Sequence, residues 1–247
     1  MHPTYPASLS RLQRFVAARL SPEGATGLHL TLGLALMLAA AWLFGSIAEE
    51  VFNGGKITLL DAALAQRLHR HASAGMTTFM LFVTHWHGVL STCVMALLLA
   101  AYFHVRRATY WRLAVFAVVP GGMVLNVLLK NIFQRARPSF DDPLLALTTY
   151  SFPSGHTVNA VLLYGLLACW LVLRHRGTGM RALIIGGACA MVVLVGLSRM
   201  YLGVHYLSDV LAAAAEGCAW LAICMTAIST LRRRREGLAR NQPGSLP

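Results

Sequence analysis

Acidic residues are scarce in this chain. Asp and Glu together number 9 in 247 residues, and charged residues of both signs make up only 12%. A soluble domain carries about a quarter of its residues as charges, so ordinary aqueous folding is a poor fit. So few carboxylates also leave the outer segments without a cluster suited to magnesium or calcium. Lysine is nearly missing, since 19 of the 21 basic residues are Arg. The five cysteines, Cys93, Cys169, Cys189, Cys218 and Cys224, fall inside apolar segments. Their spacing matches neither a metal site nor a disulfide framework, and they read as small core residues. A cleavable signal peptide is not expected: the first apolar run begins near Leu28, behind a polar segment carrying Arg11, Arg14 and Arg19. Internal repeats are lacking, and the one biased segment is the polar end from Arg240 to Pro247, expected to be disordered.

What is abundant is apolar length. Hydrophobic residues make up 57% of the chain and the mean hydropathy is +0.60. A helix crosses a bilayer with roughly 20 such residues. Six runs reach or approach that length: Leu28 to Ile47, Thr78 to Phe103, Leu113 to Phe133, Gly155 to Leu173, Ala182 to Ser198 and Val210 to Leu231. The expected fold is therefore an all-α integral membrane protein with six transmembrane helices. Residues 1–27 are expected to form a cytoplasmic N-terminal segment, 28–231 the six-span domain and 232–247 a basic cytoplasmic tail that is disordered. Leu9, Leu12, Val16 and Leu20, and again Leu60, Leu64 and Leu68, recur at near-helical spacing that suits helices lying on the membrane surface, although the first segment is read equally as a solvated tail.

A net charge of +12 invites a nucleic-acid reading, but the basic residues sit in short segments between apolar runs. That is the pattern of cytoplasmic flanks. With Arg232 to Arg235 cytoplasmic, both termini are inside, and inside segments hold fourteen of the 21 basic residues. Seven remain outside. Lys56, Arg67 and Arg70 are offset by Glu49, Glu50 and Asp61, which leaves Lys130, Arg135, Arg137 and Arg199 to be explained otherwise.

Those cations belong to two segments, KNIFQRARP at 130–138 and SRMYLGVHYLSD at 198–209, which this topology brings to one surface together with SFPSGH at 151–156, lying between them in sequence. Charges at the margins of membrane spans are costly and mark functional sites. Cations gathered at one surface suit an anion, Lys as a point charge and Arg as a planar fork for phosphate oxygens. Pro138 disfavours helix at Arg137, so the helix holding Lys130 stops before it. Ser154 is placed as the N-cap of a helix whose first N–H groups make an anion site, and Gly155 lets a phosphate approach closely. His205 and Asp209, four apart, are expected on one helical face. The carboxylate then fixes the tautomer, leaving the other ring nitrogen as a nucleophile. His156, on another segment, is available as the acid.

In these positions the chain resembles the type 2 phosphatidic acid phosphatase superfamily. Lys130, Arg137, Pro138, Pro153, Ser154, Gly155, His156, Ser198, Arg199, His205 and Asp209 fill every position of its three motifs. The resemblance implies a lipid phosphatase of a bacterial cytoplasmic membrane whose site faces the periplasm or outside. His205 would attack phosphorus to give a phosphohistidine while His156 protonates the leaving oxygen. Lys130, Arg137, Ser154, Gly155 and Arg199 would hold the phosphoryl oxygens, and this scheme needs no metal or other cofactor. The implied partners are a lipid phosphate substrate and membrane lipids, with no nucleic acid. Family members act on phosphatidylglycerol phosphate, phosphatidate, undecaprenyl diphosphate or lipid A phosphates. The first and third are favoured here.

Other residues are read more modestly. His85 and His87 flank Trp86 inside the second span, and packing or hydrogen bonding suits them better than a metal. Glu216 lies about 10 Å below Asp209 on the same helix face, suited to bonding a neighbouring helix. Asp141 and Asp142 read as solvated loop residues. Arg135 stands outside the family pattern and is assigned equally to a second phosphate or head group and to water. Two other functions compete with a phosphatase, a lipid phosphotransferase of the same family and a six-span transporter. Transport would place polar groups near the bilayer midplane, where Glu216 is the one acidic residue.

Overall fold

The structure, a computed structural model, describes Ser10 and residues 27–240. Among these residues there are eight helices and no strand: α1 (Leu28–Phe52), α2 (Lys56–Arg70), α3 (Ala74–His85), α4 (Val89–Val105), α5 (Thr109–Phe133), α6 (Gly155–Arg174), α7 (Thr178–Tyr201) and α8 (Leu207–Arg240). Helices α1, α5, α6 and α7, with Leu207–Glu236 of α8, are each long and apolar enough to span a membrane. Helices α3 and α4, bent by 50° at their break, are together long and apolar enough to count as a sixth when taken as one span. The surface helix expected around Leu9 to Leu20 lies outside the described residues.

The second span is broken where the sequence suggests one continuous helix. Its break at residues 86–88 is held by α6, because Asn159 Nδ2 donates to the His87 carbonyl at 3.2 Å. His87 is buried, with Nδ1 at 2.7 Å from the Val83 carbonyl and Nε2 at 2.8 Å from the Tyr164 hydroxyl. Both ring nitrogens are thus engaged in packing the bend. Backbone freed by a broken membrane helix must find such partners inside the protein.

The last helix also departs from expectation. It continues past Leu231 to Arg240, so residues 232–240, read as part of a disordered tail, are helical. Arg and Leu are good helix formers, and no proline interrupts the run.

Apolar packing centres on α4, α5, α6 and α8. Phe103, Val115, Val118, Val158, Leu162, Leu166 and Ala213 form its buried core. Pro120 lies inside α5, where Trp220 of α8 donates to the Ala117 and Val118 carbonyls at 3.2 and 3.1 Å. Cysteines fit the core reading only in part, since Cys224 is buried but Cys189 and Cys218 are exposed on the bundle.

The turn from α7 into α8 positions the histidine and needs a glycine. Gly203 has φ of 69°, and a Cβ there would meet the Phe140 ring at 2.9 Å. Left-handed backbone costs an L-residue about 1–2 kcal/mol before any clash. Gly203→Ala is expected to lower the thermal unfolding midpoint in detergent by a few degrees and to cut turnover. Unchanged unfolding would show that the turn tolerates a side chain.

Candidate active site

Local chain geometry gathers the motif residues at one end of the bundle. Helix α5 ends at Phe133 because Gln134 turns left-handed, with φ of 47°, and the chain reaches Arg137 beyond it. Helix α6 starts at Gly155, directing its first N–H groups toward the same end. Helix α7 ends at Tyr201, two residues after Arg199, and α8 begins at Leu207.

His205 therefore lies in the turn before α8, not on a shared helical face with Asp209 as the spacing suggests. The pair still forms across the helix start, with Nδ1 at 3.3 Å from Oδ2. Asp209 accepts from the Tyr206 backbone N–H at 2.9 Å, half of the reciprocal arrangement that caps helix starts. Ser151 donates its hydroxyl to the same Asp209 oxygen through a short bond. His205 and Asp209 are 2% and 0% exposed. Burial, opposed by Asp209, pulls the His205 pKa down to about 3. A ring with that pKa is neutral at ordinary pH, and its Nε2 carries a lone pair.

His205 lines a cavity of about 510 Å³. Lys130, Arg137, His156, Arg199 and His205 line its polar part together with Gly155, Asn126 and Asn159. Met123, Val124, Val127 and Leu128 of α5 and Val89 of α4 line an apolar part. Arg137 is set by its surroundings. Its Nε donates to the Thr149 carbonyl at 2.6 Å, and its Nη1 reaches the Val204 carbonyl at 2.6 Å and His205 Nε2 at 3.2 Å. Lys130 donates to the Tyr150 and Ser151 carbonyls at 2.7 and 3.2 Å. Arg199 is 1% exposed, donates to Thr84 through a short bond, and has no protein acceptor for its Nε. A buried cation left partly unpaired beside other cations calls for an anion. Gly155 keeps the wall open, since a Cβ there would come within 3.1 Å of Asn126 Oδ1.

Ser154 differs from expectation. It stands at the N-cap position, yet its side chain makes no capping bond. The hydroxyl is fully buried and accepts from Thr157 at 3.0 Å, while the backbone N–H donates to the Asp209 carbonyl at 3.1 Å. It supports the wall behind the cavity.

Arg135 fits neither a phosphate contact nor exposure to water. It donates to Asp209 Oδ1 at 2.6 Å, Asp61 Oδ2 at 2.8 Å and Ser208 Oγ at 2.7 Å. Burial lowers its pKa, but Asp209 and Asp61 more than compensate, so the net shift is upward. Asp61 pairs inward with Arg135 and does not offset the loop cations. Asp142 is exposed, and its hydrogen bond from His69 at 2.9 Å holds its carboxyl below the usual range. Glu216 accepts from Asn126 at 3.0 Å and so links α8 to α5.

Asp61, Ser151, Thr84 and Asn126 also belong to this end of the bundle, outside the motif positions. A signal existed for Asp61, which shares the inward stripe of α2 with Leu64, Ala65 and Leu68, where an unpaired carboxylate would be costly. The other three are common polar residues whose partners lie far along the chain.

The described residues thus form an all-helical membrane bundle in which a buried, carboxylate-paired histidine lines a cationic cavity. The chain belongs to the PAP2 superfamily, whose family model matches residues 110–233. Phosphatidylglycerophosphatase B of Bacillus subtilis (strain 168) is 31% identical over 176 residues, 69% of this chain and 84% of that protein. The undecaprenyl-diphosphatase BcrC of the same organism is 26% identical over 147 residues, 57% of this chain and 69% of its own length. Among solved structures, a transmembrane PAP2-type phosphatidylglycerolphosphate phosphatase from Bacillus subtilis superposes with a TM-score of 0.65 at 25% identity. The match covers 87% of this chain and 98% of the other. Membership makes the chain a phosphatase, and the transporter reading falls.

Proposed function

We propose that this protein is a metal-independent phosphatase of a membrane lipid, acting through a phosphohistidine on undecaprenyl diphosphate or phosphatidylglycerol phosphate. One observation carries the reading: His205 holds Nδ1 at 3.3 Å from Asp209 and Nε2 at 3.2 Å from Arg137, and it lines a cavity together with Lys130, Arg137 and Arg199.

His205 Nε2 bonds to phosphorus as the bond to the leaving oxygen breaks, and His156 gives that oxygen its proton. Water then attacks phosphorus, His156 takes the water's proton, and the N–P bond breaks to free phosphate. Asp209 stabilises positive charge on the phosphorylated ring. The three cations and the first N–H groups of α6 stabilise the equatorial oxygens. The apolar residues of α5 and α4 suit the first part of a lipid tail.

Charge distribution supports an orientation. Arg106, Arg107 and Arg112, Arg174, Arg176 and Arg181, and Arg232 to Arg235 flank the helix ends opposite the site. By the positive-inside rule both termini are cytoplasmic and the site opens to the outer face of a bacterial cytoplasmic membrane. Residues 28–231 are the catalytic unit and the basic end is its cytoplasmic flank.

A phosphate-release panel with purified protein in detergent and excess EDTA, over undecaprenyl diphosphate, phosphatidylglycerol phosphate, phosphatidate and lipid A phosphate, tests this. Undiminished release in chelator, fastest on one of the first two lipids, is expected. Activity that appears only on adding magnesium would overturn the metal-independent mechanism. An added acceptor lipid that captures the phosphoryl group would reveal a transferase.

A further inference from the structure

Two carboxylates share one guanidinium beside the site, and only one of them touches the histidine. Asp61 on α2 and Asp209 on α8 are 1% and 0% exposed, and Arg135 is clamped between them. The Tyr206 ring covers the guanidinium at 4.3 Å from its centroid. Asp61 Oδ1 also accepts the Ser208 backbone N–H at 3.0 Å, and Oδ2 takes the Ser208 hydroxyl through a short bond. It therefore caps the start of α8 from another helix, where the chain's own preceding residue, Tyr206, has no suitable side chain.

We infer that Asp61 and Arg135 are positioning residues for the phosphoryl-transfer step, together fixing the orientation and effective charge of Asp209 and through it His205. Asp209 Oδ1 is held by Arg135, while Oδ2 receives the Tyr206 N–H and the Ser151 hydroxyl and faces His205 Nδ1. With both oxygens engaged, the carboxylate cannot rotate away. The charge balance adds a second effect. Arg135 paired with Asp209 alone would cancel the negative charge that the phosphorylated ring needs. Because Asp61 takes the other arm of the fork, the three groups keep a net charge of −1, available when His205 becomes cationic. Binding of the substrate belongs to Lys130, Arg137 and Arg199, on the far side of the ring.

The inference rests on His205 being the nucleophile, so both are tested together. Wild type, Asp61→Asn, Arg135→Gln, Arg135→Lys and His205→Ala are assayed as the 247-residue chain in detergent. Readouts are kcat, KM, inhibition by orthovanadate and by inorganic phosphate, and thermal unfolding. Vanadate mimics the pentacoordinate state and needs a correctly aimed His205; phosphate needs only the cations. Asp61→Asn is expected to lose about tenfold in kcat and Arg135→Gln about 100-fold, as misplaced catalytic groups do. KM and phosphate inhibition should stay within about twofold, and vanadate inhibition should weaken in step with kcat. Arg135→Lys, keeping the charge without the fork, should recover part of the loss; it also serves if Arg135→Gln does not fold. Wild-type kcat in Asp61→Asn and Arg135→Lys would overturn the inference, as would kcat, phosphate binding and unfolding temperature falling together. Full turnover in His205→Ala would instead overturn the nucleophile assignment.

Discussion

Purified His205→Ala is expected to lose about 10⁴-fold or more in kcat with KM changed little. Removing a covalent nucleophile leaves only the rate that binding and charge stabilisation supply, and in well-studied hydrolases such losses span about 10⁴ to 10⁶. Here the split between kcat and KM follows from the layout. Lys130, Arg137 and Arg199 line the cavity independently of the imidazole, and Arg137 is anchored to the Thr149 and Val204 carbonyls. Truncating the ring should leave phosphate binding in place. Loss of the ring also releases Asp209, whose Oδ2 keeps Ser151 and the Tyr206 N–H as partners, so the fold should survive. Steady-state kinetics on the preferred lipid, with thermal unfolding as control, check this. A hundredfold rise in KM with kcat intact would recast His205 as a binding residue.

His156→Ala should separate the two classes of substrate. Cleaving a monophosphate expels a strongly basic alkoxide, which needs its proton in the transition state. Cleaving a diphosphate expels a lipid phosphate that leaves unassisted. General acid catalysis contributes about 10² to 10⁴. The expected loss in kcat/KM is thus about 10³-fold on phosphatidylglycerol phosphate and only about tenfold on undecaprenyl diphosphate. The second step needs a base for water whichever lipid entered. On the diphosphate, His156→Ala should therefore show a rapid first turnover followed by slow hydrolysis. Equal losses of kcat/KM on both lipids would deny His156 the role of acid. Its place supports that role, since it lines the cavity with His205 from the first turn of α6.

Much of this site was legible in the sequence because each motif is locally organised. Lys130 and Arg137 bracket a helix end marked by Pro138, Gly155 and His156 open a helix, and His205 and Asp209 are four residues apart. The spans were legible for a similar reason, since a bilayer demands long apolar runs. Relations between distant segments were hidden. Asp61 and Arg135 are 74 residues apart, and no periodicity joins them. Charge along the sequence pairs Asp61 with its loop neighbours, whereas in the fold Asp61 and Asp209 hold Arg135. The break at residues 86–88 escaped for a related cause: His85, Trp86 and His87 interrupt the apolar run only slightly, and the bend depends on Asn159 and Tyr164 of α6. Ser154 shows the converse, a residue type ideal for a cap whose hydroxyl is taken by Thr157 instead.

Alkaline quenching of His156→Ala mixed with terminally ³²P-labelled undecaprenyl diphosphate tests the central claim most directly. A phosphoramidate on imidazole survives alkali and is lost in acid. Near-stoichiometric label with that behaviour, on the peptide carrying His205 and absent from the His156→Ala, His205→Ala double variant, is the expected result. Phosphate release through a burst with no label on the protein, or label that persists without His205, would contradict a phosphohistidine at this position.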